Sequence, residues 1–307
     1  MKPVIEPIDR NILESELTPE LFVRHTNKGN NEIYIITHHN APNVMQEIGR
    51  LREISFRHSG GGTGEPVDVD HYDTDEVCYE QLIVYSREDR EIIGGYRFIE
   101  MKNALREDGT IAVSTAAYFD FSENFVKNYA PQTIELGRSW VQPNFQPAVN
   151  PRKGIFALDN IWDGLGAIVV MRDVKYFFGK VTMYPSFNKS ARDFLLYFMS
   201  HYFPDNESLM KPKNPKGYFG SVAEFEPMIA NMDYNDGFKV MNQYVRNLNE
   251  TIPPLFNIYM GLSPTMKTFG TTDNHDFGDV EETGILVTIA DIHAEKKERH
   301  IQSYVKS

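Results

Sequence analysis

The sequence predicts an α/β (α+β) fold, a mixed sheet flanked by helices, and three observations predict it. Short runs rich in β-branched and aromatic residues recur along the chain. Amphipathic helical stretches alternate with them. No clean linker divides the chain, so one domain is expected over residues 1–307, with an insertion at about 205–235.

The elements follow in order. Glu32 to His38 reads as a first strand. Pro42 opens a helix in which Val44, Ile48 and Leu51 keep a three-to-four residue spacing up to about Arg57. His58 to Glu65 is a Gly-rich loop. It lacks the Gly-Lys-Ser/Thr of a Walker loop and reads either as a lid or as a plain connection. From Glu65 to Glu80 there are seven acidic residues and no Lys or Arg. Gln81 to Tyr85 and Ile92 to Glu100 form strands joined at hairpin length. Tyr118 to Phe125 is aromatic-rich, and Thr133 to Val141 is a further strand. A Pro- and Asn-rich loop leads to the clearest helix, Gly154 to Arg172, and then to a buried strand from Tyr176 to Tyr184. Ser190 to Phe203 is amphipathic. Asp236 to Tyr259 is mostly helical, with a break at Pro253-Pro254. Thr265 to Thr271 and Gly284 to Asp291 close the sheet, and the charged tail from His293 reads as solvated.

Composition narrows the function classes. At 41% hydrophobic and 12% aromatic residues the chain has ample material for a core, which excludes global disorder. A net charge of -12 repels nucleic-acid phosphate, so no nucleic-acid partner is expected. The same charge opposes general attraction to anionic membranes, although a local basic patch leaves room for peripheral membrane contact. Cys78 is the single cysteine, so neither an internal disulfide nor a Cys-based zinc site can form. The first ten residues hold no apolar stretch, and no run of about 20 apolar residues occurs; a cytoplasmic location is expected. The sequons at Asn188, Asn206 and Asn249 are then chance matches.

One ordered set of short motifs is more specific. It comprises Leu51-Arg52 with Phe56, Asp70-His71-Tyr72-Asp73, Cys78-Tyr79-Glu80-Gln81-Leu82 and Gly94-Gly95-Tyr96-Arg97, then Phe119-Asp120 and Glu135-Leu136-Gly137-Arg138. In these residues the chain resembles the hemolysin-like, ornithine-lipid (or glycine-lipid) N-acyltransferase branch of the GNAT superfamily. It is similar, more distantly, to acyl-homoserine-lactone synthases. The likeness covers about Gly49 to Ser186, and more weakly Ile252 to Asp291. It implies the GNAT fold with a mostly antiparallel central sheet, and transfer of a long acyl chain from acyl-carrier protein to the α-amine of glycine or ornithine, toward an amino-acid lipid. Two other readings stay open: an acetyl-CoA-dependent or autoinducer-like acyltransferase, and a non-enzymatic binding or membrane-active protein.

The chemistry selects candidate residues. An α-amine with a pKa near 8 is mostly protonated at pH 7, so attack on a thioester needs a proton acceptor. The resemblance implies Glu135 as that catalytic base; the competing reading is an ion pair with Arg138 that braces the sheet. Residues three apart on a regular strand face opposite sides. A shared site for Glu135 and Arg138 therefore requires an irregular backbone, expected at Gly137. Arg52, Asp70, Asp73, Arg97 and Arg138 are the expected acceptor-binding set, with Asp70 and Asp73 fixing the arginines or holding the amine. Tyr197 and Tyr202 either help the leaving thiolate or pack the core.

For the donor, Arg152, Lys153 and Gly154 precede the strongest helix, a position suited to a phosphate. The usual Gln/Arg-x-x-Gly-x-Gly/Ala register is missing there, which favours acyl-carrier protein over coenzyme A. Between Asn150 and Arg192 seven basic residues face three acidic ones, an excess that would steer an acidic carrier. No tightly bound cofactor and no metal are expected. The histidines lack ligand spacing, and Cys78 reads as a spacer rather than a nucleophile.

Overall fold

In the computed structural model, which describes residues 1–305, the chain builds one eight-stranded sheet and a small two-stranded one. The elements run α1 (Arg10–Glu16), β1 (Phe22–His25), β2 (Glu32–Ile36), α2 (Pro42–His58), α3 (His71–Thr74), β3 (Glu80–Ser86) and β4 (Glu91–Glu100). They continue with β5 (Phe119–Phe121), β6 (Thr133–Val141), α4 (Pro151–Gly154), α5 (Ala157–Arg172), β7 (Tyr176–Met183) and α6 (Lys189–Tyr202). The last are β8 (Met210–Pro212), α7 (Glu226–Ile229), α8 (Tyr234–Asn247), α9 (Pro254–Met260), β9 (Lys267–Asn274), β10 (Val280–Thr288) and α10 (Ala294–Lys296). The large sheet has the order β1-β2-β3-β4-β6-β7-β10-β9. Every neighbouring pair in it is antiparallel except β6 and β7.

Strand alternation sorts the side chains onto two faces. Leu82, Val84, Phe98, Ile134 and Leu136 point to the face covered by α5, α6, α8 and α9. Ile83, Tyr85 and Ile92 point to the other face, which α2 covers with Val44, Ile48 and Leu51. The 22-residue stretch Pro151–Arg172 is long and apolar enough to span a bilayer by length and composition. Here its residues Ile161, Leu165 and Ile168 are buried against the sheet.

Three regions depart from the sequence expectation. α1 and β1 are too short to announce themselves by periodicity. The insertion is anchored in the core: β8 pairs with β5, Phe225 stacks on Phe194 with ring centroids 4.6 Å apart, and Asp193 accepts the backbone N–H groups of Phe219 and Gly220. The tail from His293 is not wholly solvated. His300 is buried on α5, its Nδ1 2.8 Å from Asp163 Oδ1. Lys306 and Ser307, the end of that tail, lie outside the described residues.

Gly166 makes this docking possible, because a Cβ there would stand 2.0 Å from the His300 carbonyl oxygen. Gly166→Ala therefore lowers stability by about 1–3 kcal/mol through forced displacement, against a gain of up to about 1 kcal/mol in helix propensity. Hydrogen exchange is the check: amides after His293 should lose protection. A variant more stable than the parent, with the tail still protected, would refute this packing account.

Candidate active site

β6 carries the irregularity that sets up the site. Its pairing with β4 runs Glu135–Ile99, Leu136–Phe98 and Gly137–Arg97, then slips by one residue before Trp140–Gly95. The extra residue lies at Arg138–Ser139, opposite Tyr96, and Arg138 holds the left-handed conformation with φ 48°. The bulge thus falls just past Gly137, which keeps its partner on β4. Its effect is a change of phase. Ile134 and Leu136 face the α5 side, yet Trp140 joins the α2-side core. Arg138 accordingly reaches the same side as Arg97, with the two guanidinium groups sharing the Asp68–Asp73 segment.

On its other edge β6 pairs in parallel with β7 only from Thr133–Tyr176 to Leu136–Gly179. Beyond that point the strands part: β7 continues along β10, and β6 continues along β4. A cavity of about 580 Å³ occupies the gap. It is lined from one face by Tyr96, Leu136, Leu158 and Tyr259, and from the other by Arg97, Ser114, Arg138, Lys180, Tyr184 and Glu282. The backbone from Gly137 to Val141 borders it, with no strand on that side among the described residues.

Glu135 is wholly buried beside this gap. Its Oε1 accepts the Ser114 hydroxyl at 2.9 Å, and its Oε2 has no partner among the described residues. Burial pushes its carboxyl up; the Ser114 and Tyr79 hydroxyls and the charges of Arg97 and Lys180 work against that without cancelling it. Glu135 does not line the cavity, whereas Ser114 does. Ser114 is therefore the polar link between the buried carboxylate and the open space. Arg138 makes no ion pair with Glu135: its Nε donates to both oxygens of Asp68, at 3.1 and 2.8 Å, and its guanidinium lies 4.4 Å from the centre of the Phe277 ring.

The acidic segment and the arginines form a closed cluster. Asp73 Oδ2 receives Arg52 Nη1 and Arg97 Nη1, both at 3.2 Å, and Asp73 Oδ1 receives Gln81 Nε2 at 2.9 Å. Arg52 Nη2 also donates to Gln81 Oε1. Arg97 Nη1 bridges both Asp70 oxygens at 2.9 Å. Burial pushes the Asp73 carboxyl up, but Arg52 and Arg97 overcome it and hold the group well below the ordinary carboxylate range. Three carboxylates (Asp68, Asp70, Asp73) meet three arginines (Arg52, Arg97, Arg138), so the cluster is neutral overall. Of the five expected acceptor-binding residues, Arg97 and Arg138 reach the cavity; Arg52 and Asp73 are sealed behind it, and Asp70 stands beside Arg97 without lining it.

On the donor side only Gly154 lines the cavity. A Cβ on Gly154 would come within 2.4 Å of the Pro147 backbone nitrogen, so this glycine lets the loop press against α4. Lys153 turns away to pair with Asp89, and Arg152 is exposed. The basic excess between Asn150 and Arg192 does not make one face. Arg192 is buried against Asp193 and Glu281, Arg172 bridges Glu80 and Glu100, and Lys180 points inward. The Gly-rich loop is a pinned structure rather than a lid: buried Glu53 accepts the backbone N–H groups of Thr63 and Gly64 and the Thr63 hydroxyl at 2.7–3.0 Å. Gly60, Gly62 and Gly64 supply the positive φ angles this path needs. Neither Tyr197 nor Tyr202 reaches the cavity; Tyr96, Tyr184 and Tyr259 do. Burial raises the Cys78 thiol, which keeps it protonated rather than nucleophilic.

Sequence reasoning missed Ser114 and Lys180. Ser114 sits in a polar loop with no motif, and Lys180 reads as one cation in an apolar strand.

Residues 51–151 match the family described as the acetyltransferase (GNAT) domain. Over its whole length the chain is similar to two bacterial proteins named glycine N(alpha)-acyltransferase. The one from Bacteroides thetaiotaomicron is 51% identical over 309 residues, covering 100% of this chain and 92% of its own. The one from Phocaeicola vulgatus is 48% identical over 308 residues, covering 100% and 94%. Among solved structures, a CoA-dependent acyl-homoserine lactone synthase overlaps 90% of this chain and 96% of its own, at 13% identity and a TM-score of 0.38, too loosely to bear on function.

Proposed function

Because the chain belongs to the GNAT-type N-acyltransferase family that includes the glycine N(alpha)-acyltransferases, we propose that it moves a long-chain acyl group from acyl-carrier protein to the α-amine of glycine, toward an amino-acid lipid. The observation that carries this reading is a buried carboxylate with one free oxygen, Glu135, joined through Ser114 to a largely apolar cavity where two parallel strands part.

The reaction on this reading is direct. The glycine ammonium gives up a proton through Ser114 to Glu135, and the nitrogen lone pair attacks the thioester carbonyl carbon. The carbonyl oxygen takes negative charge, which the free backbone N–H groups of β6 beside the gap would stabilise. The C–S bond breaks as the amide forms. The nitrogen's second proton passes to the departing sulfur, which leaves as a thiol, and Glu135 releases its proton to solvent before the next turnover. Ser114 acts as the relay because Glu135 has no face on the cavity. Leu136, Trp140, Leu158 and Leu255 supply the apolar walls that suit an acyl chain. A carrier-protein donor is supported by the loop before α5, which lacks the usual coenzyme A register.

The test mixes purified protein with acyl-carrier protein thioesters or acyl-CoA and single amino acids, and reads N-acyl products by mass spectrometry. The expected product is N-acylglycine, formed faster from the carrier thioester. Preference for acyl-CoA would overturn the donor assignment, and a preferred acceptor other than glycine would overturn the acceptor.

A further inference from the structure

The cavity holds a cation that the acyl-transfer chemistry above does not use. Lys180 stands on β7 one residue past Gly179, the last residue paired with β6, so it enters the gap as the strands part. Its side chain is 11% exposed, and it shares the sheet face of Glu135. Its ammonium carries three donors, and among the described residues its one hydrogen bond goes to Glu282 Oε1 at 3.3 Å. Glu282, the carboxylate of that ion pair, is also held by two neutral donors. Asn274 Nδ2 donates to the same oxygen at 3.1 Å, and the Thr182 hydroxyl donates to Oε2 at 3.0 Å. The Tyr118 ring, with its centre 4.4 Å from Nζ, braces the ammonium from one side.

The other two cations that line the cavity are committed. Arg97 is spent on Asp70 and Asp73, and Arg138 on Asp68. The site therefore offers one cation with spare donors, near the buried carboxylate and its Ser114 link. A free α-amino acid brings both partners: an ammonium to approach Ser114 and Glu135, and a carboxylate that needs a positive, hydrogen-bonding anchor in a largely apolar site.

We propose that Lys180 is the anchor for the acceptor's α-carboxylate, so that the enzyme selects free amino acids over neutral amines by this ammonium. The inference rests on the reading of the chain as a glycine acyltransferase. Holding the carboxylate at Lys180 would fix which end of the acceptor faces the thioester and would make Lys180 a determinant of specificity.

Two measurements on the full chain test it. The first compares glycine with glycinamide, which lacks the carboxylate, as acceptors for the parent and for Lys180→Met and Lys180→Arg. The parent should prefer glycine. Lys180→Met should reduce the glycine-to-glycinamide ratio of kcat/KM by roughly 10–100-fold, the cost of one charged hydrogen bond, mostly through KM. Lys180→Arg should restore part of the preference. The second is equilibrium dialysis with radiolabelled glycine, which needs no turnover, so it decides the inference even if the acyl donor has been wrongly assigned. Parent binding that weakens in Lys180→Met supports the anchor. A parent that does not discriminate between the two acceptors, a variant that slows both equally, or glycine binding unchanged in Lys180→Met would overturn it. Failure of every acceptor and donor in turnover, with glycine binding intact and Lys180-dependent, would instead count against the transfer reaction alone.

Discussion

Glu135→Gln is expected to fold like the parent and lose about 10²–10⁴-fold in turnover at neutral pH, the range for removal of a general base. The exchange is nearly isosteric. Gln Oε1 can still accept the Ser114 hydroxyl, and the amide nitrogen replaces an oxygen that has no partner. The pH profile makes the prediction sharper. Burial raises the Glu135 carboxyl, so in the parent kcat/KM should fall as pH drops through that raised value, and this limb should vanish in the variant. The stability effect has the opposite sign from that of a salt-bridged acid. With the folded pKa above the unfolded one, the protonated group is the comfortable form, and its contribution is complete below the ordinary carboxylate pKa and lost as pH rises through the folded value. Thermal melts should therefore show Glu135→Gln gaining on the parent as pH rises from 4 to 8. Full activity in the variant would remove Glu135 from the role of base.

The second large effect concerns stability. Arg52→Met strips one of the two arginines from Asp73 and leaves the Gln81 carbonyl and the Asp68 backbone carbonyl without their donor. Removing one member of a buried charge pair costs about 3–5 kcal/mol, because the remaining charge is left uncompensated. Adding Asp73→Asn should recover part of that loss, since the two residues are coupled and their costs cannot simply sum. Urea unfolding of the four species gives the coupling directly. The pH dependence follows from the depressed Asp73 carboxyl: its contribution is present above the ordinary aspartate range and is lost as pH falls toward the folded value. The gap in stability between parent and Asp73→Asn should consequently narrow in acid. Strict additivity of the two substitutions would show that the cluster does not act as a unit.

Much of this arrangement could be read from the sequence, and what could not has definable causes. β6 was legible to the residue, as Thr133–Val141, because its β-branched and aromatic composition is bounded by turn residues. The need for a bulge followed from the spacing of Glu135 and Arg138 once both were taken to serve one site, but its position did not. That depends on register against β4, and the phase slips one residue beyond the glycine that composition points to. Arginine partners for Asp70 and Asp73 were expected; that Asp68 joins them through Arg138, and that Arg52 and Asp73 end up sealed behind the cavity, depends on how α2, β4 and β6 come together. Lys180 was invisible for the same reason. Its meaning lies in the divergence of β7 from β6, a property of two strands and not of either one. His300 could not be separated from a solvated tail, because the space that receives it is the missing side chain of Gly166.

The bulge in β6 also divides the strand into two reading frames. Before Arg138 even-numbered residues face α5; after it they face α2. A one-residue deletion at Ser139 would restore an unbroken pleat and leave Trp140 opposite Gly95, yet it would turn Arg138, then opposite Tyr96, to the α5 face and away from Asp68. Related chains should thus tolerate insertions in the neighbouring loops far more readily than any change of length between Gly137 and Trp140. That short span works as a frame marker for the whole sheet.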